Sequence, residues 1–134
     1  MTAMKEVVQA ALADINTAYG KGVRVVPDEQ GGAWIEIPEV DLGATYREPA
    51  SFVICLLPFN LPNADVYPLF VRHDLARADG SGLGEGFAAT PLSWPGEPNQ
   101  RPVIQVSRRT RRSDFTRQTA LQKIDKVLDW IRTR

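Results

Sequence analysis

At 134 residues, with 43% apolar and 24% charged side chains, the chain has the size and composition of one globular domain, 1–134, able to bury a real core. A single cysteine and a single histidine exclude an internal disulfide, a cysteine-rich zinc site and other soft-ligand metal sites, so neither metal nor cofactor is expected. No apolar run approaches the ~20 residues of a membrane span, and the first residues lack the basic start, apolar stretch and cleavage site of a signal peptide. The expectation is a soluble protein of the reducing cytoplasm with no membrane partner.

Residues 2–19 read as an amphipathic helix. Val7, Val8, Ala11, Leu12, Ile15 and Tyr19 recur at helical spacing, and Gly20 and Gly22 supply a stop. The β-rich run 23–26 leads through the turn residues 27–32 into a second strand at 33–37. The form of the connection 38–49 is open. The stretch 51–57, SFVICLL, is the strongest strand and reads as central because both of its faces are apolar. Another strand begins at 69–71 and runs toward His73. Residues 79–100 carry five glycines and three prolines and read as a long loop, a flexible flap or pair of loops. A short strand at 102–106 and a helix at 116–131, with Leu121, Ile124, Val127, Leu128 and Ile131 on its buried side, complete the chain. The order predicts an α+β domain: an antiparallel four- to five-stranded sheet with an N-terminal and a C-terminal helix.

Charge is unevenly placed although the net is zero. Residues 1–100 hold 6 Lys/Arg against 13 Asp/Glu, and residues 101–134 hold 10 against 3. The split implies either two differently charged surfaces or charge complementarity inside the fold, and the second reading is preferred. Arg108, Arg109, Arg111 and Arg112 could meet phosphates. The lack of interleaved aromatics and the acidic remainder of the chain argue against nucleic acid and for an acidic protein partner or a solvated loop.

Leu57-Pro58-Phe59-Asn60-Leu61-Pro62, followed by Tyr67-Pro68 and then Phe70 and Val71, resembles the proline-punctuated passage of ubiquitin-conjugating enzymes. Further on, Ser107 ends a short strand, Phe115 lies eight residues beyond it, and Leu121, Ile124 and Leu128 follow at helical spacing. In that family the corresponding points are the catalytic cysteine, a tryptophan and an amphipathic helix. His73-Asp74 is the nearest remnant of the family's His-Pro-Asn. The resemblance covers most of the chain and implies a ubiquitin-conjugating-enzyme-like fold of the divergent bacterial kind, which is encoded beside ubiquitin-like proteins and activating enzymes, often in antiphage defence. The partners it implies are a ubiquitin-like protein and its activating (adenylating) enzyme.

On this alignment Ser107 replaces the nucleophilic cysteine, so a transferase would form an oxyester. A serine hydroxyl needs a base or strong polarisation to attack at neutral pH. His73 is the default base if the fold brings it close, with Asp74 to orient it, and Arg108 and Arg109 would stabilise developing charge. The alternatives are that Ser107 only ends a strand or caps a turn, making the protein an inactive adaptor that binds through its sheet or first helix, or that the domain is an unrelated α+β module. Cys55, inside an apolar strand, reads as core rather than nucleophile. Trp34 and Trp130 read as core margin. Trp94, in the loop, is either an exposed contact or tucked onto the sheet.

Overall fold

A computed structural model describes residues 3–20, 22–94, 97–111 and 116–134. Helix α1 spans Glu6–Tyr19 and is followed by β1 (Arg24–Pro27), β2 (Ala33–Asp41), β3 (Ala50–Leu57), β4 (Leu69–Arg72), β5 (Phe87–Leu92), β6 (Arg101–Val106) and helix α2 (Ala120–Arg132). All strands pair antiparallel in one sheet of order β1-β2-β3-β4-β6-β5. The α+β class and the two terminal helices match expectation. The strand number does not: among the described residues the sheet has six strands rather than four or five.

The extra strand comes from the glycine-rich stretch. Residues 79–100 were expected to be a loop, yet β5 lies within them and pairs with β6 along its whole length, from Phe87↔Val106 to Leu92↔Arg101. Ala88, Ala89 and Pro91 give β5 little to bury, and a proline is tolerated on an edge strand. Alternation is therefore weak there, and the glycines mask the strand. The second strand also runs on past Ile37 to Asp41, with the register shifting between Ile37 and Val40 around Pro38, as at a bulge.

Alternation along the strands builds two cores. Ile35, Ile37, Val53, Cys55, Leu57, Leu69, Val71, Ile104 and Val106 face one side, where Val8, Ala11 and Ile15 of α1 and Ile124, Val127, Leu128 and Ile131 of α2 cover them. The opposite face carries Ile54, Phe70, Val103 and Leu92 under Trp94, which is only 1% exposed. Trp94 meets Trp34 edge to face at 6.3 Å, so the loop tryptophan is tucked onto the sheet. Trp34 and Trp130 are half-buried. Beside Trp94, Glu36 accepts from Arg24 Nη1 (3.0 Å) and Arg101 Nη1 (2.9 Å), and Arg101 Nη2 reaches Glu97 (2.8 Å). The two Arg101 pairs join the basic part of the chain to the acidic part, whereas Arg24–Glu36 lies within the acidic part.

Helix ends are set locally. Gly20, at φ 86°, closes α1. Thr119 and Gln122 form a reciprocal capping box that starts α2 a few residues later than its periodicity suggested. At the other end of α2, the Tyr46 hydroxyl donates to Ile131 O (2.7 Å) and Arg132 Nε to Asp41 O (3.0 Å). No helix of the described residues is long and apolar enough to cross a membrane.

One glycine is required by close approach. A Cβ on Gly32 would stand 2.5 Å from Leu57 O and 2.9 Å from Phe59 N, both backbone atoms that cannot swing aside. Gly32→Ala is expected to destabilise the fold by about 1–3 kcal/mol through overpacking. Thermal unfolding checks this, and an unchanged midpoint would show that β2 and the end of β3 can part freely.

Candidate functional site: the end of strand β6

β6 ends at Val106, and Ser107 continues it by one residue, its N–H donating to Gly86 O at 2.7 Å. Val103 faces the side away from the helices. Gln105 and Ser107 share that parity, and Gln105 Nε2 donates to Ser107 Oγ at 3.2 Å. No carboxylate or imidazole bonds the hydroxyl among the described residues.

His73 does not come near Ser107. The β4–β6 register sets Leu69 opposite Val106 and Arg72 opposite Val103. Ser107 therefore leaves the sheet beside Pro68, whereas His73 leaves β4 at its other end. Five residues of extended chain at ~3.3 Å each put the two about 16 Å apart. The antiparallel pairing that makes the sheet is what separates them. His73 is exposed beside an open depression lined by Pro38, Glu39 and Phe52. Asp74 is not its partner: Arg72 Nη2 donates to Asp74 Oδ2 at 2.8 Å, and this guanidinium holds the Asp74 carboxyl below the usual carboxylate range. Cys55 is fully buried on the helix-facing side, and burial pushes its thiol up to about 12, leaving it neutral and inaccessible.

The basic segment has more structure than its sequence suggested. Residues 108–111 cross the open side of α2 and form, with Lys123, Lys126 and Trp130, a cleft of about 360 Å³. Arg108 lies 4.7 Å from the Trp130 ring and Arg109 4.1 Å from the Tyr67 ring. Behind them Lys123, 2% exposed, donates to Arg108 O (2.6 Å), Thr110 Oγ1 (2.7 Å) and Asp65 Oδ2 (3.0 Å). Thr110 N also donates to Asp65 Oδ2 (2.8 Å). Desolvation by burial lowers the Lys123 pKa, and Asp65 opposes that shift. Lys123 is thus a strut that fixes the path of the arginine segment, with all of its donors used. Arg112 and Phe115, the latter set against a tryptophan only by the resemblance, lie outside the described residues.

Ser107, Arg108 and Arg109 are consecutive, but the hydroxyl bonds Gln105 on the face away from the helices while Arg108 turns to α2. Lys123, Lys126 and Asp65 did not emerge from the sequence, and Tyr67 did so only within the proline-punctuated passage, not as a site residue. One signal was available: Lys123 falls on the same helical stripe as Ala120, Ile124 and Val127, and a cation on a buried stripe demands a partner. Among the described residues no group of three or more His, Cys, Asp or Glu side chains could hold a metal ion.

Comparison with known proteins finds no matching family model, no matching curated protein and no matching solved structure.

Proposed function

We propose that this protein is a ubiquitin-conjugating-like domain of a bacterial ubiquitin-like modification pathway that binds a ubiquitin-like protein or its activating enzyme without forming a covalent bond. The observation that carries the non-catalytic version is the surrounding of Ser107: its hydroxyl bonds a neutral amide, and the only histidine lies at the far end of the neighbouring strand. An unactivated serine is a poor acceptor of an acyl group.

The first helix supplies a contact surface. Val7 and Phe59, 40% and 43% exposed, are the large apolar side chains most open to solvent among the described residues. Val7 borders a groove of about 190 Å³ with Ala10, Leu61 and Pro62, and Phe59 stands two residues before Leu61 in the same loop. Exposed apolar side chains beside such a groove favour protein contact. The proline-rich loop and α1, which carry part of the resemblance, together line this groove.

The covalent version keeps one supporting observation, the position of Ser107 at a strand end next to a cationic segment. Intact mass spectrometry separates the two versions. The protein is incubated with ATP, a bacterial activating enzyme and its ubiquitin-like protein, as wild type and as Ser107→Ala. The expected result is no adduct while the activating enzyme itself is charged, with binding by titration unchanged in Ser107→Ala and at least tenfold weaker in Val7→Asp/Phe59→Asp. An adduct that survives reductant, yields to mild base and is lost in Ser107→Ala would establish the oxyester enzyme instead. Absence of any binding to either partner would remove the pathway assignment.

A further inference from the structure

We propose that the cleft between residues 108–111 and α2 is a binding site for a compact phosphate anion, a diphosphate either free or at the end of a nucleotide. The site is independent of the conjugation reading, since it uses neither Ser107 nor the α1 groove.

Charge is the first argument. Arg108, Arg109, Arg111, Lys123 and Lys126 line the cleft, and among the described residues no acidic side chain does. Asp65, behind it, is matched by Lys123. The carboxylates of α2 are turned elsewhere: Asp125 accepts the Tyr19 hydroxyl and Asp129 accepts Arg132 Nη1 at 3.0 Å. Among the described residues, the side chains of Arg108, Arg109, Arg111 and Lys126 have neither a hydrogen-bond acceptor nor a salt-bridge partner, whereas Arg24, Arg72 and Arg101 all do. Four cations facing one concavity raise the local potential and concentrate anions.

Preorganisation is the second. A guanidinium stacked on an aromatic ring spends its face on the ring and keeps its in-plane N–H donors free, the edge that meets phosphate oxygens in pairs. Arg108 lies over Trp130 at 4.7 Å and Arg109 over Tyr67 at 4.1 Å, close enough for such a contact. Their segment is held from behind at two points, Arg108 O and the Thr110 hydroxyl, both accepting from Lys123, and the Thr110 N–H is held by Asp65. The donors are therefore placed before a ligand arrives, which lowers the ordering cost of binding.

Shape decides the ligand class. A cleft of about 360 Å³ lies at the lower end of small-ligand pockets. A phosphate group brings about −1.5 to −2 charges in the volume of one tetrahedral group. An acidic peptide spreads single charges along an extended chain at ~3.3 Å per residue, so few of its carboxylates could meet these cations together. Single-stranded nucleic acid would need free aromatic faces for its bases, and the Trp130 ring is already stacked by Phe87 at 5.2 Å and flanked by Arg108 and Arg134.

Isothermal titration with inorganic pyrophosphate at about 0.15 M salt tests the site. Wild type is expected to bind one equivalent saturably, and Arg111→Ala/Lys126→Ala to bind at least tenfold more weakly with the same thermal midpoint in the absence of ligand. Titration with ADP tells the two sources apart: affinity equal to that of pyrophosphate means the diphosphate alone is read, and an affinity tenfold higher means a nucleotide is. No saturation by millimolar pyrophosphate would overturn the proposal, as would equal affinity in the double variant. Tighter binding of a decaglutamate peptide than of pyrophosphate would overturn it too and make the cleft an acidic-peptide site.

Discussion

Asp65→Ala is expected to cost about 3–5 kcal/mol of folding stability, measured by urea denaturation at neutral pH. The substitution leaves the Lys123 ammonium, 2% exposed, without its counter-charge, although Arg108 O and Thr110 Oγ1 still accept from it. It also strips Thr110 N of its acceptor, and a buried unsatisfied amide adds about 1–3 kcal/mol where water cannot replace the partner. Asp65→Asn, which keeps an oxygen toward both donors and removes the charge, is expected to lose markedly less. Lys123→Met in the Asp65→Ala background should recover part of the loss, because a methionine there buries no charge and continues the apolar stripe of α2. Additive single and double losses would mean that the two side chains do not act as a pair, and the arginine segment would then lack the support ascribed to it.

Legibility in the sequence followed the strength of periodicity. The α2 stripe read correctly because it buries apolar side chains at a period that only a helix fits, and SFVICLL because a short apolar run bounded by turn signals suits a strand covered on both faces. β5 did not, since FAATPL buries only Leu92 and owes its conformation to backbone pairing with β6. Such edge strands are made by their neighbours. Trp94 illustrates the same limit, since its setting read as a loop and could not say that the tryptophan packs against the sheet. At the candidate site, the resemblance singled out Ser107 and the run of arginines was plain in the sequence, but neither showed their relation to His73. That depended on strand register, a long-range property fixed by which residues of β4 and β6 meet. The cation strut was hidden because Lys123 and Asp65 are 58 positions apart in the chain.

Above pH 9 the wild-type protein is expected to lose stability that a Cys55→Ala variant keeps. Burial raises the Cys55 thiol from its ordinary 9.0 to about 12 in the folded chain, so the unfolded chain releases this proton first. The sign follows: the neutral thiol's contribution is fully present below pH 9 and is lost as pH rises from 9 through 12, because the unfolded state binds fewer protons there. Each pH unit in that window removes about 1.4 kcal/mol, or about 4 kcal/mol by pH 12. Tyr19 and Tyr46, whose hydroxyls are also raised by burial, act in the same direction above pH 10, while Lys123, lowered by desolvation, releases its proton earlier when folded and acts in the opposite direction. All three are present in both proteins and cancel in the difference between them, which isolates Cys55. Urea midpoints of the two proteins at pH 8, 9, 10 and 11 give the comparison, with the variant starting lower by the small apolar contact that the sulfur makes and crossing wild type as pH rises. Parallel curves would mean that the thiol ionises as readily in the fold as out of it. Cys55 would then have to lie within reach of solvent, against its place under both helices, and its exclusion as a nucleophile would have to be withdrawn.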